Sequence, residues 1–325
     1  MRMFVNTVKE IARRMVGHAG GVLLSKKIYQ QVLLQRRNAA DCLAAIESAK
    51  LRPGLACIVF SKDRPLQLYS LLHSYFEKVR SPVPVTVIYD VSDEAFARAY
   101  QEVSESFVGR EVSVTFVREL NGFRESLLQE LQKIEVQSVF FLVDDIVFIR
   151  PLDLDWAKKL NPQEFVLSLR HSPHLRRSYT GNAKVAPPMF SNVSFAAGLL
   201  SFKWFECGYE WSDPWSVDGQ VLSTAEVRVL TRISEFKAPN SYEVALKAFN
   251  DMAEKRLGLC YTESKILNLP INRVQSEISN LSGNISCAYL LEQWNQGLML
   301  DTQMFDNHIP VSPHEVHAVQ FKMRP

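Results

Sequence analysis

Phe140-Phe-Leu-Val-Asp144-Asp145-Ile-Val-Phe-Ile-Arg150-Pro decides how this chain is read. An apolar run of strand length ends in two adjacent carboxylates, and a second apolar run follows at once. Setting two acids at the mouth of a buried strand is costly unless a cation or hydrogen-bond donors compensate. A hard divalent ion with oxygen ligands would do so, and such ions bridge carboxylates to diphosphates. A turn cap or a pairing with Arg150 would also do so, and the residues alone leave both readings open.

Upstream, the same strand-then-polar pattern repeats. Leu55-Ala-Cys-Ile-Val-Phe60 reads as a buried strand, followed by the loop Ser61-Lys-Asp-Arg-Pro65. Pro65 suits a first helical turn, and Leu68, Leu71, Leu72, Tyr75 and Val79 mark one helical face. Residues 83–90 form a second strand ending in Asp90, residues 94–107 a helix and residues 112–117 a third strand. Asn121 is the expected N-cap of the next helix, whose face is Phe123, Leu127, Leu128, Leu131 and Ile134. Residues 139–143 complete a fourth β–α repeat. Such repeats predict a mostly parallel sheet flanked by helices, with ligands bound beyond the carboxyl ends of the strands. Ser61, Lys62, Arg64, Asp90, Asp144 and Asp145 are the polar residues met there. The first loop has no Gly-x-Gly-x-x-Gly and the chain no Gly-x-x-x-x-Gly-Lys-Ser/Thr, which argues against dinucleotide and P-loop folds.

Composition narrows the class. Of 325 residues, 47% are hydrophobic and 22% charged, which excludes a disordered, collagenous or mainly membrane-embedded chain. The net charge of +2 hides an asymmetry: residues 1–54 hold ten Lys/Arg against three Asp/Glu, the remainder 27 against 32. The division expected is a basic helical arm over 1–54 and an α/β body over 55–325, with a nucleotide-binding half at 55–150 and an acceptor half at 151–325. The arm is read as helices, one around Phe4–Met15 and one over 23–49, broken at Arg52-Pro53-Gly54. A basic amphipathic arm can rest on an anionic membrane or pack on protein. Positive charge confined to the arm, without a stacking platform, argues against nucleic acid as a partner. Five scattered cysteines without a Cys-x-x-Cys pair read as buried free thiols. No secretory signal or spanning segment is evident, so the expected location is cytoplasmic, with peripheral contact at the inner membrane surface.

Taken in order, the Ser-Lys-Asp-Arg-Pro loop, the strand ending in Asp90 and Phe-Leu-Val-Asp-Asp-Ile-Val-Phe resemble nucleotide-sugar-dependent glycosyltransferases of the GT-A fold, bacterial and family-2-like. The resemblance spans roughly residues 55–321. The family's aspartate motif follows its fourth strand; here the first acidic position is Val143, and Asp145 stands at the usual metal ligand. The resemblance implies Mn2+ or Mg2+ on the diphosphate, held by Asp145 and a C-terminal imidazole, His314 ahead of His308 and His317. It implies that Asp144 faces the ribose or sugar and Asp90 the base, with a UDP-sugar favoured as donor. Phe195-Ala-Ala-Gly198-Leu-Leu is similar to the small-residue segment beside the donor sugar. Trp215-Ser-Val-Asp218-Gly and Ala238-Pro-Asn-Ser-Tyr-Glu243 are similar to acceptor-side segments, and Leu269-Pro-Ile-Asn-Arg-Val-Gln275 also recurs.

If the transfer inverts the anomeric centre, a carboxylate must take the acceptor's proton, and Glu243 is then the first choice and Asp218 the second; a retaining transfer needs neither, and the sequence leaves both outcomes open. Each residue also has a structural reading: Gly198 in close packing, Asn240 or Ser241 as an N-cap with Glu243 favourable near a helix start, and Arg64 and Arg124 in surface ion pairs rather than on the diphosphate. The expected activity is sugar transfer to a hydroxyl acceptor, a glycan or lipid-linked molecule, in surface-glycan synthesis. A scaffold that kept the fold, or a sugar nucleotidyltransferase, is the alternative.

Overall fold

The computed structural model describes residues 26–274 and 282–325, and side chains from residue 28 onward. The expected helix around Phe4–Met15 and the end of the Leu269–Gln275 stretch lie outside the described residues. The chain divides into a unit of residues 1–43 and a unit of residues 44–325. Helix α1 (Lys26–Ser48) covers most of the second helix expected in the arm. No described helix is long and apolar enough to cross a membrane.

In the larger unit, β1 (Arg52–Lys62), α2 (Pro65–Lys78), β2 (Val85–Asp90), α3 (Glu94–Ser106), β3 (Val114–Arg118), α4 (Phe123–Lys133) and β4 (Val136–Val143) alternate as the hydrophobic runs require. They are followed by β5 (Ile146–Phe148), β6 (Phe165–Ser168), β7 (Ser191–Asn192), β8 (Leu199–Lys203), β9 (Gln220–Ser223), α5 (Thr224–Ile233) and α6 (Pro239–Lys247). The chain closes with β10 (Leu257–Tyr261), β11 (Ile266–Asn268), α7 (Cys287–Asn295), β12 (Leu298–Leu300) and β13 (Phe321–Met323).

Nine of these strands form one sheet in the order β7-β8-β10-β6-β9-β4-β1-β2-β3. Strands β1 to β4 are mutually parallel. β9 runs against both β4 and β6, and β8 against both β10 and β7. With β10 parallel to β6, every strand but β8 and β9 points the same way. The fold is therefore mixed α/β, a large, mostly parallel sheet flanked by helices. Its centre is apolar on both faces: Val59, Phe140, Phe141 and Leu142 are each at most 1% exposed. Burying a side chain of this size contributes about 1.5–3 kcal/mol.

Three local expectations are corrected. Arg52-Pro-Gly is not a break but the start of β1, which pairs Arg52 with Val136 and shifts register before Leu55. Gly54 permits this at φ +150, where a Cβ would lie 2.6 Å from Val136 Cγ1. Asn121 does not cap α4; Gly122, at φ +92, holds that position and offers no side chain. Of the five free thiols, only Cys57 and Cys260 are buried.

Candidate active site

The topology gathers the chemistry on one edge. Ser61 and Lys62 end β1, Asp90 ends β2, and the turn Asp144-Asp145 follows β4. β6 runs the same way, so Arg170 leaves at that edge. β9 is reversed, so the residue that enters it there is Asp218. Gly219 makes the entry possible: it sits at φ +82, and a Cβ would lie 2.3 Å from Ile266 Cδ1. These residues line a cleft of 720 Å³ that also takes in Glu119, Asp213, Glu243, Lys247, Asn268 and His314, a volume suited to a ligand of nucleotide size.

One wall is built on Arg64. Its Nη1 donates to Asp144 Oδ1 at 2.7 Å and to Asp145 Oδ2 at 3.1 Å, and its Nη2 donates to the carbonyl of Asn272. Asp144 Oδ2 accepts from Ser61 Oγ at 2.8 Å and from the Lys62 amide at 3.1 Å. Asp144 thus folds the loop after β1 back onto the turn after β4. Asp145 shares the one guanidinium with it. Burial raises the Asp145 carboxyl to about 6, Arg64 opposes the rise, and the charges of Asp144 and Asp218 add to it. Its Oδ1 is buried without a hydrogen-bond partner.

A second group centres on Asp218, whose Oδ2 lies 3.0 Å from Arg170 Nη1 and 3.1 Å from His314 Nε2. Burial alone would raise this carboxyl, but His314, Arg170 and Lys247 bring it below its ordinary value. His314 is presented by a backbone bridge to Asn268. His314 Nδ1 and Asn268 Oδ1 are buried and unpartnered. In the same cleft, Lys247 Nζ donates to Asp213 at 2.8 Å and lies 3.6 Å from Glu243. Burial and the Glu243 charge lift Asp213 to about 6 against the pull of Lys247 and Arg170. At the β2 edge Lys62 pairs with Asp90, and burial with the Asp90 charge lifts Glu119 to about 7.

The structure brings Ser61, Lys62, Arg64, Asp90, Asp144, Asp145, Asp218, Glu243 and His314 to one cleft. Two expected donor contacts are elsewhere. Arg124 donates to the carbonyls of Ser234 and Arg232 at 3.0 Å and to Glu125 at 2.9 Å, so it fastens α4 to the end of α5. Gly198 is an exposed turn between β7 and β8, at φ +69, its carbonyl bonded to the Thr262 amide. Arg150 pairs with Glu263 and several carbonyls rather than with the acidic turn. Asn240 and Ser241 are not the N-cap of α6; Ala238 is, and Ser241 Oγ accepts from the amides of Lys237 and Ala238. His308 and His317 pair with Glu315. Sequence reasoning missed Arg170, Asp213, Lys247 and Glu119. Lys247 alone left a signal, four residues after Glu243 on one helical face.

No known family profile matches the chain. Over 182 residues, half of the chain, it is 29% identical to the bifunctional glycosyltransferase pgtA of Dictyostelium discoideum. It spans 23% of that relative's length. Two solved structures also align. TarS 1–349 of S. aureus with UDP-GlcNAc aligns at TM-score 0.44 and 13% identity, over 72% of this chain and 62% of that one. A mannosyltransferase of Pyrobaculum calidifontis with GDP-Man and Mn2+ aligns at TM-score 0.29 and 15% identity, over 46% and 51%. Half of the chain is thus similar in sequence to part of a glycosyltransferase.

Proposed function

We propose that this protein transfers a sugar from a nucleoside-diphosphate sugar, a UDP-sugar in the favoured case, to a hydroxyl of a glycan or lipid-linked acceptor. One observation carries the reading: Asp145, Asp218, Glu243 and His314, far apart in the chain, line a single cleft at the strand carboxyl edge. The sequence likeness to a glycosyltransferase supports it. Placement in surface-glycan synthesis belongs to the same proposal.

A divalent ion, Mn2+ or Mg2+, fits the donors present. Asp145 has a buried oxygen with no partner, and His314 a buried ring nitrogen with none. These two would hold it, and bound there it would offset the charge of the departing diphosphate.

The chain's own groups do the rest. Lys62, 46% exposed beside Asp90, can reach phosphate oxygens, while Arg64, engaged by Asp144 and Asp145, braces the floor; Asp90, at the end of β2, accepts from the base or ribose. Asp218, kept ionised by Arg170 and His314, is a poor proton acceptor and instead fixes the His314 ring. Glu243 takes the acceptor's proton in an inverting transfer, with Asp213 and Lys247 beside it setting its orientation. The test is release of nucleoside diphosphate from a panel of nucleotide-sugars with Mn2+, with and without glycan acceptors. Release that requires Asp145 and is accelerated by an acceptor supports transfer; none from any donor overturns it.

A further inference from the structure

Outside the cleft, the sequence His308-x6-Glu315-x-His317 folds into a compact cluster. His308 Nε2 lies 2.6 Å and His317 Nε2 2.9 Å from the same oxygen, Glu315 Oε2. The two ring centroids are 4.9 Å apart and the planes meet at 85°, so neither ring stacks on the other and each turns an edge to the carboxylate. The other oxygen, Oε1, accepts from the amides of Val311 at 2.7 Å and Ser312 at 3.2 Å. That fixes the carboxylate and leaves Oε2 for the imidazoles, the kind of backing that ligating carboxylates receive. The ligand atoms of His308, Glu315 and His317 all lie within 4.8 Å of one another.

We propose that His308, Glu315 and His317 bind a zinc-class dication. Two imidazole nitrogens and one carboxylate oxygen are a borderline donor set, suited to Zn2+ and unsuited to Mg2+ or Ca2+, which take oxygen. Bonds of about 2.0–2.2 Å in a tetrahedron place ligand atoms about 3.3 Å apart. To reach that, the nitrogens of His308 and His317 move away from Glu315 Oε2 by about 0.7 and about 0.4 Å. The histidine side chains, 30% and 26% exposed, have room to do so. The same exposure leaves a path for entry and a fourth position for water. On binding, each Nε2 turns its lone pair to the ion and its proton moves to Nδ1 or to solvent.

The site has a structural consequence. The ligands flank His314, and the segment is tied on both sides: Arg150 Nη2 donates to the His308 carbonyl at 2.8 Å, and the Glu315 amide donates to the Asn268 carbonyl at 3.1 Å. Zinc here clamps the loop that delivers His314 to the cleft. The proposal stands apart from the donor reading, because none of its three ligands lines the cleft.

The test uses the untagged 325-residue chain. It is purified, passed through gel filtration and assayed for metal by mass spectrometry, then stripped and titrated with Zn2+ against a chromogenic chelator. Wild type and Asp145→Ala should each hold about one zinc. Glu315→Gln and the double variant His308→Ala with His317→Ala should bind more weakly by about 10- to 100-fold or more. Glu315→Gln preserves shape, and circular dichroism on every variant separates lost binding from lost fold. Co2+ in stripped wild type should give the visible absorption of a tetrahedral site, and Mg2+ in excess should not displace it. Zinc held no more tightly by wild type than by the folded Glu315→Gln protein overturns the proposal.

Discussion

His314 and Asp218, separated by 96 positions in the chain, meet at 3.1 Å in the lining of the cleft. The contact joins the C-terminal segment to the entrance of β9, so a side chain near the end of the chain completes a site begun by the first strand. A hydrogen bond to a charged group is worth about 1.5–3 kcal/mol. His314→Ala should lower unfolding stability by about that amount, read from denaturant midpoints, and should weaken Mn2+-dependent donor binding. A variant as stable as wild type would show that Asp218 is held by Arg170 alone.

Among the described residues, Arg64 is the cation placed directly on both carboxylates of the acidic turn. Arg64→Met removes it and leaves two buried acids facing each other. Breaking a buried pair in this way costs about 3–5 kcal/mol. The expected outcome is a large drop in melting temperature at neutral pH that shrinks at acid pH, below about 6, where Asp145 takes up its proton. A loss of equal size at both pH values would contradict the arrangement.

Arg124 and Gly198 lie off the cleft, and their replacement separates geometry from expectation. Arg124→Ala should cost about 1 kcal/mol or more, from hydrogen bonds to the Ser234 and Arg232 carbonyls. Calorimetric donor affinity should stay within about twofold, a change below about 0.4 kcal/mol. A tenfold loss of affinity would return Arg124 to the diphosphate.

The alternating strands were legible in the sequence because each apolar run is bounded by polar residues. The positions of Ser61, Asp90 and Asp145 at strand ends followed from that. What was not legible was which polar groups satisfy one another. Arg64 and Arg124 both follow a strand and precede helical residues, yet one faces the acidic turn and the other the carbonyl end of α5. Arg170 and Asp213 lie outside helices and strands, so no periodicity marked them. Asp218 was found by resemblance; its ties to Arg170 and His314 depend on β9 running backwards through the sheet.

Glu119 gives a pH signature. Burial and the neighbouring Asp90 raise it from 4.5 to about 7, so the native state holds its proton more tightly than the unfolded chain. The stability this group contributes is therefore fully present below pH 4.5 and lost as pH rises toward 7. Glu119→Gln has no such loss. Its melting temperature relative to wild type should climb between about pH 5 and about pH 8. Parallel profiles would contradict the assignment.

The most direct measurement is stabilisation by nucleotides: thermal and denaturant unfolding with nucleoside diphosphates and nucleotide-sugars, with and without Mn2+, on wild type and Asp145→Ala. A ligand at 100 times its dissociation constant stabilises by about 2.7 kcal/mol. The donor-cleft account predicts a shift of that order with one nucleotide, dependent on Mn2+ and absent in Asp145→Ala. No shift with any nucleotide, or an equal shift in the variant, would contradict it.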